Sequence, residues 1–291
     1  MPSLPVLRTL LRELTTLERA KRVPEPDLVM DHPGKVAAYD KAGEVDGVMA
    51  PVYLFHAANV CEVIKPGDLV VDLACGPANQ LAMIARLNRD VRFIGVDLSE
   101  PMLALARERV RESGLENVEF RRRDISNLRD LAECSVDAAI STMALHHLPT
   151  LEYLKATFLE IKRVLKPDGG IYIVDFGHLK AERSIQYFAH QYADRQPELF
   201  TLDYLYSLRA AFSLADFRFA GSVLKSSARL YTTFLSPFMV AFKSAVRRPT
   251  DRSLQQRFQE MRAALPQHHQ QDLRDLVTFF RLGGLRCSLL Q

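Results

Sequence analysis

An α/β fold built on a parallel sheet is what the middle of this sequence predicts, and two observations carry it. Between residue 66 and about residue 177, short apolar runs alternate with stretches of helical periodicity, the pattern of strands joined by crossover helices. Polar residues also stand at successive strand ends: Asp72, Asp97, Asp124, Ser141 and Asp175. Ligands of an open parallel sheet bind beyond the carboxyl ends of its strands, so polar residues recurring there mark a site more than they mark packing.

Each element follows from local chemistry. Leu69 to Leu73 reads as a buried strand, leading through the loop Ala74-Cys75-Gly76-Pro77-Ala78 into a helix from Asn79 to Leu87. Val91 to Val96 is the second strand; Ser99 then caps a helix, with Pro101 in its first turn and Gly114 at its end. Val118 to Phe120 begins the third strand and Val136 to Ile140 forms the fourth, running into Ser141-Thr142-Met143-Ala144-Leu145-His146-His147. A helix over Leu151 to Leu165 ends at a turn, Lys166 to Gly170, before the fifth strand at Ile171 to Val174. Upstream, the first 65 residues read as helices punctuated by Pro24, Pro26, Pro33 and Pro51. There Leu7, Leu10, Leu11, Leu14 and Leu17 recur at helical spacing, so an amphipathic helix is expected to pack on something.

Composition excludes several classes. The chain has 291 residues, 48% hydrophobic, enough for one large α/β domain with appendages or for two small domains. Its 38 basic and 35 acidic residues give a net charge of +3, too small to imply nucleic acid or a membrane surface. Cys61, Cys75, Cys134 and Cys287 form no CxxC pair and no zinc-type spacing, so neither a metal nor a disulfide is expected and a reducing cytoplasm is. No apolar run reaches the roughly 20 residues of a membrane span, and Arg8, Arg12 and Glu13 break the N-terminal apolar stretch, unlike a signal peptide.

Five segments in order, VVDLACGPANQLAMIARL, FIGVDLSEPMLALAR, VEFRRRDISNL, DAAISTMALHHL and RVLKPDGGIYIVDF, resemble class I S-adenosylmethionine-dependent methyltransferases over roughly residues 36 to 245. The resemblance implies a Rossmann-like sheet of seven strands, mostly parallel with the last antiparallel, helices on both faces and additional helices at both termini. Ala220 to Leu224 and Phe238 to Phe242 are the segments available for the sixth and seventh strands. It further implies a helical cap over residues 1–65, a cofactor-binding domain over 66–245 and a helical tail over 246–291. S-adenosylmethionine is the implied cofactor and S-adenosylhomocysteine the product. By position, Ala74, Gly76 and Asn79 belong to the loop and helix start beneath the methionyl part, and Asp72 faces its amino end. Asp97 takes the ribose hydroxyls, since one carboxylate accepts both bonds. Leu98 and Met102 pack on the adenine, Asp124 and Ile125 read its edge, and Ser141 and Met143 line the floor near the sulfonium. The family usually carries glycine at position 74 and often at 78. Alanine there requires negative φ.

A nicotinamide enzyme is disfavoured, because only Gly76 remains of the G-x-G-x-x-G fingerprint. The P-loop and the nucleophile elbow are missing too. STMALH stands where methylases of amide and adenine nitrogens carry an acid or Asn followed by Pro-Pro and an aromatic, and no Pro-Cys marks cytosine attack. The cysteines do not form the set that arsenic methylases use. The expected acceptor is therefore a small molecule methylated on O, N or C, with no nucleic acid or membrane partner and a homodimer permitted. His146 and His147 are the candidate bases; the alternative has His147 bonding locally while His146 faces solvent. Residues 178–219, rich in Tyr and Phe, suit a lid over the acceptor and equally suit core packing. Tyr39, Tyr53 and His56 either cover the site or belong to the core. A cofactor-binding protein with a non-methylating or regulatory role is the competing reading.

Overall fold

β1 (Leu69–Leu73), β2 (Arg92–Asp97), β3 (Val118–Arg122), β4 (Val136–Thr142), β5 (Leu165–Phe176), β6 (Arg229–Thr232) and β7 (Met239–Lys243) form one sheet in the order β3-β2-β1-β4-β5-β7-β6. The structure is a computed structural model and describes residues 4–17, 19–249 and 251–290. The pairs β1–β2, β2–β3, β1–β4 and β4–β5 are parallel, and β7 runs antiparallel to both β5 and β6. This is the Rossmann-like arrangement, with strand order reversing at β1.

Strand side chains alternate between two cores, as a period of two requires. Val70, Phe93, Ala138, Ile140, Tyr172 and Val174 face one layer; Val71, Leu73, Ile94, Ala139, Ile171 and Ile173 face the other. The helices are α1 (Leu4–Thr15), α2 (Pro33–Ala42), α3 (Ala50–Val63), α4 (Asn79–Leu87), α5 (Glu100–Glu112), α6 (Leu151–Val164), α7 (Glu182–His190), α8 (Glu198–Ala210), α9 (Leu214–Ala220), α10 (Arg252–Ala264) and α11 (Gln267–Leu282). The first layer takes residues from α3, α4, α5, α10 and α11, the second from α6 and α9. Every residue of α3 except Val52 is buried, because α3 lies between the sheet and α10 and α11. Pro33 and Pro51 each sit in the first turn of a helix, where a missing N–H costs nothing. Ser99 caps α5 by accepting from Met102 N.

The structure corrects three expectations. Ala220 to Leu224 is not a strand: α9 ends there and a 3-10 turn follows, its apolar residues packed beneath Phe242, which leaves no room for a Cβ at Gly221. The sixth strand lies further on, at Arg229–Thr232. The turn at Lys166 to Gly170 is an irregularity inside β5, where Val136 and Ala138 pair with Leu165 and Gly170 and the residues between bulge outward. Thirdly, Ala74 and Ala78 do not have negative φ. They stand at 57° and 59°, beside Gly76 at 55°.

The loop leaving β1 thus holds two alanines in the left-handed region, a conformation costing a β-carbon residue about 1–2 kcal/mol. Ala74→Gly is expected to leave the melting temperature unchanged or raise it by about 2 °C, relief of strain outweighing the freer unfolded chain. Ala82→Gly, inside α4 and buried, should lower it by roughly 4 °C or more. Equal losses in thermal denaturation of the two variants would contradict the strain.

Candidate functional site

Two cavities open beyond the carboxyl ends of β1, β2 and β4. The smaller is lined by Ala74, Gly76, Asp97, Leu98, Ser99, Met102, Asp124, Ile125 and Met143, with Leu28, Val29 and Met30 from the segment before α2. Its parts are held from below. Asp97 Oδ2 accepts from Gly76 N at 2.9 Å and Oδ1 from Ser99 N at 2.9 Å, tying the β1 loop to the start of α5. Each oxygen keeps a further lone pair for a ligand. Ser99 Oγ donates to Asp31 Oδ1 at 2.7 Å, which fixes the Leu28–Met30 stretch against this cleft. Asp124 Oδ1 accepts from the Ser126 N–H and hydroxyl, at 2.8 and 2.7 Å.

Asp72 lies in a pocket beneath the loop with Tyr39, Tyr53, Ala74 and Asn79. Among the described residues its carboxylate makes no hydrogen bond, and burial, reinforced by the charge of Asp97, pushes its pKa to about 8. Asn79 is engaged elsewhere: its Oδ1 accepts from Arg109 Nε at 2.7 Å, and Arg109 pairs with Asp40. Ser141 is fully buried and donates to Leu73 O at 2.9 Å, joining β1 to β4 without lining either cavity.

The larger cavity, about 200 Å³, is mostly apolar, with Met49, Phe176, Phe188, Tyr192, Phe200, Tyr204, Phe238 and Phe279 among its walls. Of the aromatic stretch in 178–219, Phe188, Tyr192, Phe200 and Tyr204 line it. Phe212 and Phe217 are buried in the opposite core, and Phe219 is exposed. Tyr39, Met143 and His147 line both cavities, so the two adjoin at these side chains. Met143 reaches this junction with φ of 52°, a backbone twist that turns the chain sharply as it leaves β4. Tyr53 borders the Asp72 pocket, and His56 is a core residue bonded to Tyr172 Oη at 2.7 Å.

The two histidines have opposite settings, and the alternative that leaves His146 in solvent is wrong. His146 is buried: its Nδ1 lies 2.7 Å from Asp175 Oδ1, and its backbone N–H donates to Asp175 Oδ2 at 2.8 Å. Asp175, fully buried, also accepts from Phe176 N. His147 keeps partial exposure and puts Nδ1 3.1 Å from Glu25 Oε2. Burial alone would raise the Glu25 pKa, but the His147 hydrogen bond and charge prevail and hold it at about 2. Burial would likewise lower His147, and Glu25 raises it. Asp203, facing the same chamber, is raised to about 6 by burial and the neighbouring Glu25 charge.

Glu25 was invisible to sequence reasoning, lying in a proline-flanked stretch without periodicity. It is positioned by Ser207, whose hydroxyl donates to Oε1 at 2.9 Å. The Arg22 guanidinium stacks on Phe212 at 3.8 Å and donates to the carbonyls of His146, Leu148, Pro149 and Ala210. Glu25, His146 and His147 converge closely enough to share a cation, yet Glu25 already pairs with His147 and Ser207, and His146 with Asp175.

Residues 70–169 match the family described as methyltransferase domain. The chain is 35% identical over 113 residues to an arsenite methyltransferase of Halobacterium salinarum, covering 38% of this chain and 28% of that protein. It is 32% identical over 113 residues to a demethylmenaquinone methyltransferase of Listeria welshimeri, covering 38% and 46%. The matches therefore span less than half the length of these curated relatives. In architecture it is similar to an S-adenosylmethionine-dependent methyltransferase from Aquifex aeolicus, with TM-score 0.51, 18% identity, and coverage of 74% of this chain and 98% of that one. Residues 70–169 thus resemble a methyltransferase domain, and the sheet around them has the fold of an S-adenosylmethionine-dependent methyltransferase. Among the described residues, no helix is long and apolar enough to cross a membrane.

Asp175→Asn places an amide N–H₂ among three donors in a buried position. It should cost about 3 kcal/mol in urea denaturation. A loss below about 1 kcal/mol would show that Asp175 does not hold the histidine turn in place.

Proposed function

We propose that this protein transfers a methyl group from S-adenosylmethionine to an O, N or C atom of a small, largely apolar acceptor held in the larger cavity. The observation that carries the reading is that Tyr39, Met143 and His147 wall both cavities; these side chains are then the window at which a ligand in one would meet a ligand in the other. The cofactor fits the smaller cavity taken together with the Asp72 pocket, which shares Tyr39 and Ala74 with it, on physical grounds. Asp72 is a buried carboxylate without a partner among the described residues, the setting that an ammonium group relieves. Gly76 leaves open space where a side chain would stand. Asp97 has lone pairs to spare, and Leu98, Met102 and Ile125 offer an apolar slot for a flat ring.

When bound, the cofactor supplies an already electrophilic methyl carbon on a sulfonium. The protein's task is to align the acceptor, exclude water and accept a proton if the acceptor still holds one. His147 is placed for that last role, with Glu25 orienting its ring through Nδ1 and leaving Nε2 as the accepting nitrogen. His146, locked by Asp175, positions the turn on which His147 stands. The aromatic walls from α7 and α8 select for apolar or aromatic acceptors. An arsenic acceptor is not favoured: Cys61 and Cys287 are buried and neither borders either cavity. Four free thiols suit a reducing cytoplasm.

Two outcomes test this. At pH 7 the Asp72 carboxyl, with its pKa near 8, is mostly protonated. Binding the cofactor's ammonium favours the ionised form and expels the proton. Calorimetry in buffers of different ionisation enthalpy should read release of close to one proton at pH 7, turning to net uptake at pH 9–10, where Asp72 is already ionised and the free ligand's amine must gain a proton to bind as the ammonium. Asp72→Asn should bind more weakly and release none. Proton release unchanged in Asp72→Asn, or no binding by the wild type, would overturn the assignment. For the base, His147→Ala should slow turnover by about 10²-fold or more without loss of cofactor affinity. Glu25→Gln removes the charge that holds the His147 proton, so the rising limb of the pH–rate profile should move to lower pH. A limb that stays in place would free Glu25 of that role.

A further inference from the structure

α1 is packed inside out. An amphipathic helix normally buries its apolar side, yet α1 buries Thr9, Leu10 and Glu13. Leu4, Leu7, Leu11 and Leu14, one stripe along the helix, stay 61%, 47%, 61% and 52% exposed. The inversion has a cause on the inner side: Glu13 accepts from Lys180 N and Ala181 N, at 2.7 and 3.0 Å, and so caps the start of α7. That capping fixes which way the leucines point.

Location and charge then narrow what the stripe is for. Val6 and Leu10 of the same helix line the acceptor cavity, so α1 forms part of its rim. A second rim element, the loop between β6 and β7, shows the same habit. Its Phe234 lines the cavity while remaining 39% exposed, and the next residue, Leu235, is 46% exposed with φ of 66°. α1 also carries Arg8 and Arg12, and its acid, Glu13, is turned inward, so the outward face is apolar and cationic. Exposed leucines flanked by arginines, on a helix lying flat on the protein, are the chemistry of an interfacial helix on an anionic bilayer.

We propose that α1, together with Phe234 and Leu235, seats on an anionic lipid surface and turns the mouth of the acceptor cavity toward it, so that the acceptor is an apolar molecule drawn from the membrane. The acceptor half rests on the reading of that cavity as the methyl-accepting site; the docking half does not. Tight seating exploits the leucines, and Arg8 and Arg12 supply the attraction that salt screens.

The test is flotation of the purified full-length protein with vesicles of phosphatidylcholine alone and of phosphatidylcholine mixed equally with phosphatidylglycerol. The wild type should float with the mixed vesicles and bind the neutral ones, or the mixed ones in high salt, at least about tenfold more weakly. Leu7→Glu/Leu11→Glu should lose flotation while keeping the wild-type melting temperature and affinity for S-adenosylhomocysteine. A wild type that floats with neither vesicle, or a double variant that floats equally well, overturns the proposal. So does light scattering that finds a wild-type dimer which the double variant splits, since a second copy of the chain then covers the stripe. Absence of S-adenosylhomocysteine binding would sink the methyltransferase reading and leave the flotation result to decide the docking on its own.

Discussion

β1 pairs with β2 on one side and β4 on the other, and from that reversal the loops leaving β1 and β4 diverge and open a crevice between them. Every functional feature hangs on this split. The β1 loop turns toward α4 and β2, carrying Gly76 to Asp97. The β4 exit turns toward β5 and sets His146 against Asp175. Ser141, bonded to Leu73 O between the two strands, keeps the crevice from widening at its root. The site residues come from distant parts of the chain, but sheet register places them, and register is hard to alter when both faces are buried.

Local strain accompanies the split. Ala74, Gly76, Ala78 and Met143 all adopt positive φ, and all lie in the two segments that leave β1 and β4. Sharp turns there bring backbone close to a ligand, and the surrounding core over-determines conformations the residues would not choose alone. The alanines show that the loop geometry does not require glycine at positions 74 and 78. It requires a scaffold stiff enough to impose the shape, here α4 packed on α3 and β2 beneath the loop.

What could be read from sequence divides along physical lines. β1, β2, β4 and β5 carry strong apolar runs because both faces of those strands are covered, and polar residues near their ends interrupt the runs. β6 was misplaced because an edge strand with half-buried residues carries little apolar signal, while the true signal at Ala220 to Leu224 belonged to a buried helix end. The histidine pair was legible as polar residues after a strand, but its partners were not. Asp175 looked like one more strand-end acid, and Glu25 lay in an irregular stretch whose contacts are entirely tertiary. The N-terminal helix was legible as amphipathic, whereas the side it buries was decided by Glu13 meeting the start of α7.

The central claim is geometric: the cofactor's sulfur must come to the window between the two cavities. A crystal structure of the protein with S-adenosylhomocysteine tests it directly. The account predicts ribose hydroxyls on Asp97, the amino group on Asp72 and the sulfur beside Met143 and His147, facing the larger cavity. A sulfur turned away from that window, or a ligand bound outside the cleft beyond β1 and β4, would contradict it.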